Sequence, residues 1–141
     1  MFALTVRASF CAAHKLPDYR GKCYNLHGHT WAVEATFAGK ELQTEGHESG
    51  MLIDLKTLKH WLRNVVSCYD HGYLNDSPRF KGGEKPPTAE WVAFEIAESL
   101  KTTLSLSLAR DKVRLVYVRV YESEDAWVTY WESEHADSSD Q

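Results

Sequence analysis

Cysteine is scarce in this chain and shows no pairing pattern. The 141 residues hold three, Cys11, Cys23 and Cys68, an odd number with no Cys-x-x-Cys pair. A secreted domain of this size more often carries an even disulfide framework, so a reducing compartment, the cytoplasm, is expected. Long apolar runs are also missing. No stretch approaches the ~18 consecutive apolar residues of a membrane-spanning helix, and the N-terminal MFALTVRASF carries an arginine mid-run. Neither a membrane partner nor an export signal is expected. A basic excess is missing as well: the formal net charge is −4, from 16 Lys+Arg against 20 Asp+Glu. Four of the acids (Glu132, Glu134, Asp137, Asp140) fall in the last ten residues, which hold no Lys or Arg, leaving 16 charges of each sign in residues 1–131. A neutral body lacks the cationic surface that gives nucleic-acid binders their salt-dependent affinity, so no nucleic-acid partner is expected. A small anionic ligand held by a local group of bases remains open.

What is present reads as one domain over residues 1–132 with an acidic, serine-rich, frayed end over 133–141. Residues 2–10 alternate, with Phe2, Leu4, Val6, Ala8 and Phe10 on one face and Thr5, Arg7 and Ser9 on the other. A second alternation from His29 to about Ala38 has Trp31, Val33, Ala35 and Phe37 in phase. After a polar, glycine-punctuated loop over 39–50, Asp54 reads as the N-cap of a helix over 55–68, with Leu55, Leu58, Leu62, Val65 and Val66 at helical spacing. Residues 70–87 form a long loop, and Thr88 caps a second helix whose stripe is Trp91, Phe94, Ile96, Ala97, Leu100 and Leu104. Strands over 112–122, with Val116, Val118 and Val120 on one face, and 126–132 follow. The order ββααββ predicts an α+β fold: a four-stranded antiparallel sheet with two helices over one face. Its open edges call for pairing with further copies.

The densest chemical signal is Cys23-Tyr24-Asn25-Leu26-His27-Gly28-His29, with His14 upstream. On a strand, residues i and i+2 project to the same face, so His27 and His29 point together, and His14 joins them if the two strands pair. Three neutral imidazoles suit zinc and leave the fourth position open, the pattern of a catalytic site. Two other readings stand beside this one: histidines satisfied by hydrogen bonds alone, or a closed structural site with Cys23 as fourth ligand. A Cys23 thiolate near a metal, flanked by Lys15, Arg20 and Lys22, would also serve as base or nucleophile. Cys11 and Cys68 read as buried small hydrophobes. Asp70 and His71 form a possible acid–base pair or a surface ion pair. Glu122 continues the phase of the valines, placing a carboxylate at the end of an apolar face. There it either meets solvent or grips an amidine-like ligand edge. His47, His60 and His135 read as solvated.

Six ordered blocks carry a resemblance to a known family: Ala12-Ala13-His14, Cys23-x3-His27-Gly28-His29, Gly50-Met51-Leu52-Ile53-Asp54, Asp70-His71-x2-Leu74-Asn75, Pro87-Thr88-Ala89-Glu90 and Glu122-Ser123. From about Phe2 to Trp131 the chain resembles the 6-pyruvoyltetrahydropterin synthase family, and within it the bacterial 6-carboxytetrahydropterin synthases of queuosine biosynthesis. The three residues between Cys23 and His27 match the carboxy-forming enzymes. The resemblance implies a tunnelling fold whose barrel is completed by a homohexamer of two stacked trimers, and zinc on His14, His27 and His29. It implies Cys23 as catalytic base, Asp70 and His71 as a second acid–base element, and Glu122, helped by Thr88, as the anchor of the pterin ring. The implied substrate is 7,8-dihydroneopterin triphosphate, converted to 6-carboxytetrahydropterin with release of acetaldehyde and triphosphate. A pyruvoyl-forming synthase without carbon loss and a non-catalytic zinc-stabilised interaction domain are the alternatives. The chain departs from the family's usual residues at Cys11, Leu55, Tyr69 and Trp91.

Overall fold

The computed structural model describes residues 1–16, 20–21, 25–80 and 84–133. Two 13-residue strands, β1 (Phe2–His14) and β2 (His27–Gly39), form its backbone as an antiparallel pair running from Phe2 opposite Gly39 to His14 opposite His27. β4 (Arg114–Tyr121) pairs with β2, and β5 (Trp127–Trp131) pairs with β4, both antiparallel. Both long strands extend to the histidines, beyond the expected limits at residue 10 and residue 29.

The sheet has five strands, not four. A two-residue strand, β3 (Gly72–Tyr73), lies parallel to β1 with Ala12 opposite Gly72, giving the order β3-β1-β2-β4-β5. β3 covers only the end of β1, and β5 is terminal, so the sheet is not closed within one chain.

The helices α1 (Leu55–Ser67) and α2 (Ala89–Ser105) start where their caps dictate. The Asp54 carboxylate accepts from the Lys56 amide at 2.8 Å, and the Thr88 hydroxyl accepts from Trp91 N at 3.3 Å. α1 buries Leu58, Leu62 and Val66 against β1, whereas Leu55 of the expected stripe is exposed. α2 lies on β4 and β5 and buries Val92, Ala93, Ile96, Ala97, Leu100 and Leu104. Trp91 and Phe94, also expected there, sit at its margin edge-on to each other.

The core face of the sheet carries Val6, Phe10, Ala12 and His14 from β1, and Trp31, Val33, Ala35 and Phe37 from β2. From β4 it takes Leu115, Val118 and Val120. Val116 is not among them. Thr36 faces Tyr117 but Phe37 faces Leu115, so Val116 is the extra residue of a bulge and the phase shifts around it. Cys11 and Cys68 are exposed, not buried: Cys11 falls on the outer face by alternation, and Cys68 is the C-cap of α1.

The segment 70–87 is more structured than the sequence suggests. After β3 comes a single 3-10 turn, Leu74–Asp76. Arg79 and Lys85 then both reach the Glu95 carboxylate of α2 at 2.8 Å, tying the segment to the helix. The expected tail lies outside the described residues from 134 onward.

Candidate functional site

The register of β1 and β2 builds the site. With His14 opposite His27, and His29 two residues further along the same face, the three imidazoles converge at the end of the ladder. His14 Nε2 lies 2.8 Å from His27 Nε2 and 3.1 Å from His29 Nε2. One ligand atom from each ring falls within 4.8 Å of the others. Beneath them Trp31 is fully buried, edge-on to His14 and His29 with ring centres 5.0 and 5.4 Å away. Its indole N–H donates to the Ala12 carbonyl at 3.2 Å.

Main-chain carbonyls set the tautomers. His14 Nδ1 donates to the Pro87 carbonyl at 2.8 Å, and His27 Nδ1 donates to the Asn25 carbonyl at 2.7 Å. With the protons on Nδ1, the two Nε2 lone pairs face each other across 2.8 Å. Bare lone pairs at that distance repel, so the arrangement calls for an electrophile between them. Burial pushes His14 below the ordinary imidazole range, against the Pro87 hydrogen bond, and the other two histidines push it further down. Burial lowers His29 too, opposed by the Glu122 charge.

A metal ion fits. Zn–N distances of 2.0–2.1 Å in tetrahedral geometry place ligands about 3.3 Å apart, against 2.8 and 3.1 Å from His14 Nε2 to the other two Nε2 atoms. Nitrogen donors of this type suit zinc and the neighbouring transition metals alike.

Glu122 directly follows β4, its amide donating to the Ala126 carbonyl at 3.2 Å to close the turn into β5. Its charge acts on both His14 and His29, which puts a carboxylate in electrostatic reach of the cluster. Thr88 spends its hydroxyl on the α2 cap and adjoins Pro87, the residue that holds His14. Thus α2 begins at the site.

Asp70 and His71 are attached to β1 by a different route. Asp70 Oδ1 accepts the Cys11 amide at 2.9 Å, and Oδ2 lies 3.0 Å from His71 Nδ1. The Cys11 amide is the main influence holding the Asp70 carboxyl below its usual range, with His71 adding to it. His71 donates its own amide to the Cys11 carbonyl and has φ 56°, the left-handed region a non-glycine residue rarely adopts. Its side chain is 84% exposed. Among the described residues, the side-chain hydrogen bonds and ion pairs of this pair are to Cys11 and to each other. Cys23 and Lys22 lie outside the described residues, while Arg20 is exposed.

Sequence reasoning missed the carbonyls of Pro87 and Asn25, which no side-chain pattern reveals. It also left Asn75 without a role. That side chain clasps the main chain of Lys15: Oδ1 accepts the Lys15 amide at 2.9 Å and Nδ2 donates to the Lys15 carbonyl at 2.8 Å.

Comparison with known proteins bears on the chain as a whole. Residues 3–133 match the family model described as 6-pyruvoyl tetrahydropterin synthase. A 6-carboxy-5,6,7,8-tetrahydropterin synthase from Synechocystis is 37% identical over 100 residues, 70% of this chain and 78% of that protein. Its counterpart of the same name from Bacillus subtilis is 33% identical over 132 residues, covering 92% and 84% of the two chains. Among solved structures, the 6-pyruvoyl tetrahydropterin synthase of Caenorhabditis elegans superposes with a TM-score of 0.76 at 28% identity, covering 94% of this chain and 96% of that one.

Proposed function

The chain belongs to the 6-pyruvoyl tetrahydropterin synthase family, and we propose that it is a 6-carboxy-5,6,7,8-tetrahydropterin synthase. In this reading it is a zinc-dependent lyase. It takes 7,8-dihydroneopterin triphosphate and water to 6-carboxy-5,6,7,8-tetrahydropterin, acetaldehyde and triphosphate, a step of 7-deazapurine biosynthesis. The observation that carries the reading is the convergence of three imidazole Nε2 atoms beside a carboxylate, in a chain 33–37% identical to relatives of that name.

His14, His27 and His29 would hold the metal, which supplies polarisation of the substrate's side-chain hydroxyls and lowers their pKa. Glu122 pairs through its carboxylate with the guanidine-like edge of the pterin, and Thr88 supports that end of the ring. Cys23 removes a proton from the substrate side chain as thiolate. His71, oriented through Nδ1 by Asp70, returns or relays protons. Lys15, Arg20 and Lys22 line the triphosphate side.

The open β5 edge supports assembly with further copies. It carries Trp127 at 52% and Trp131 at 61% exposure, and the family resemblance puts the assembly at two stacked trimers. No described helix is long and apolar enough to cross a membrane, and Cys11 and Cys68 are free thiols, in keeping with a cytoplasmic enzyme.

Incubation with 7,8-dihydroneopterin triphosphate tests the reaction. Acetaldehyde and triphosphate are expected in equal amounts. A pyruvoyl product without acetaldehyde would instead establish the second reading, which the likeness to the nematode structure favours. Cys23→Ala separates enzyme from interaction domain: it is expected to keep zinc and fold while losing turnover. Loss of zinc with early melting would make Cys23 a structural ligand.

A further inference from the structure

The parallel ladder between β1 and β3 pairs Ala12 with Gly72 and Ala13 with Tyr73. Continued by two residues, that register sets Lys15 against Asn75. The backbone cannot continue it, because Leu74–Asp76 winds into a 3-10 turn. The Asn75 carboxamide takes over instead. It presents one acceptor and one donor to the Lys15 amide and carbonyl, at 2.9 and 2.8 Å, as a paired peptide unit would.

The segment 70–75 therefore holds the end of β1 almost residue by residue. Asp70 and the His71 amide hold Cys11, β3 holds Ala12 and Ala13, and Asn75 holds Lys15. His14 lies inside this span, its other edge paired to His27 and its ring fully buried. On the far side of His14 from β3, Asn75 holds the main chain at Lys15.

We propose that Asn75 is a positioning residue that locks the backbone immediately after His14 and thereby sets His14 Nε2 against His27 and His29 for metal binding. The same clasp keeps the Asp70–His71 pair in register with the metal strand. This inference rests on the metal role given to the three histidines, and deepens it.

Outer groups that orient metal-ligating histidines change affinity by about 10–100-fold when removed. Asn75→Ala is accordingly expected to weaken zinc binding at least about 10-fold, measured by competition with a chromophoric chelator. With Co(II) in place of zinc, its visible absorption should change in shape as well as intensity. Asn75→Asp keeps the acceptor for the Lys15 amide and loses only the donor, so a smaller loss is expected. Leu104→Ala, a core truncation at the opposite end of α2, is the comparison: a stability loss alone should leave zinc affinity within twofold of wild type. The inference is overturned if Asn75→Ala binds zinc as the wild type does, or if Leu104→Ala weakens it equally. Should Asn75→Ala not fold, Asn75→Asp decides by the same criterion. A wild-type chain that binds neither zinc nor Co(II) would overturn the metal reading and this inference together, whereas failure of the reaction alone would leave it intact.

Discussion

His14 and Pro87 stand 73 residues apart in the chain and are joined by a 2.8 Å hydrogen bond from the ring Nδ1 to the carbonyl. The bond links the end of the first strand to the residue before the α2 cap. It fixes which nitrogen of a fully buried histidine is left for a ligand. The site is therefore assembled by the sheet and by the segment leading into α2 together, and each can be perturbed separately.

Removing any one of His14, His27 or His29 by substitution with alanine is expected to abolish stoichiometric zinc retention after dialysis and to lower turnover by at least about 100-fold. Wild-type protein should gain about 2.7 kcal/mol when free zinc stands at one hundred times its dissociation constant. The three variants should show no such rise in thermal midpoint. A variant that keeps the zinc-dependent rise would remove that histidine from the ligand set.

His71 occupies the left-handed region with a side chain that does little packing. Relieving the strain separates stability from activity. His71→Gly should be more stable than His71→Ala by about 1 kcal/mol, since only glycine adopts that φ without penalty. Both should be inactive. Denaturant midpoints with an activity assay check this, and equal stability of the two would contradict it.

Glu95 is buried between Arg79 and Lys85. Burial pushes its carboxyl up, but the hydrogen bonds from Lys85 and Arg79 outweigh burial and leave it below the usual range. Its folded pKa is thus below the unfolded value of about 4.3. The stabilisation it gives is complete above that value and fades as pH falls through the folded pKa. Because both cations are partly exposed, Glu95→Gln should cost about 1–2 kcal/mol at pH 7. Thermal melts from pH 7 down to pH 3 should show the wild-type advantage shrinking only below about pH 4.3. A gap independent of pH would contradict this origin.

Gly39 ends β2 where another chain segment crosses it. An added Cβ would stand 2.4 Å from the Lys112 carbonyl oxygen and 2.5 Å from a Leu52 methyl. Gly39→Ala should therefore destabilise by about 1–3 kcal/mol through overpacking, with little effect on zinc binding. Chemical denaturation measures the first and chelator competition the second.

The parts of the molecule legible in the sequence are those whose signal is local and repeated. Alternation revealed β1 and β2, the Asp54 and Thr88 caps located both helices, and the i, i+2 spacing of His27 and His29 revealed the cluster. What stayed hidden depends on partners distant in sequence. β3 is two residues long and has no period of its own; it exists because Ala12 and Ala13 offer it an edge. The Val116 bulge is a mismatch between two strands, so neither strand's composition announces it. Cys68 looked buried from helical position alone, yet at the C-cap it meets solvent. The carbonyls that orient the histidines belong to Pro87 and Asn25, whose side chains play no part.

On the outer face of the sheet Glu34 serves three strands at once. Its carboxylate lies 3.3 Å from Arg7 on β1 and 3.8 Å from Arg119 on β4, and accepts from the Tyr121 hydroxyl at 3.2 Å. One negative charge thus answers two guanidinium groups, although the chain as a whole is acidic. Glu34 is thus the electrostatic tie between β1 and β4 across the strand that carries it.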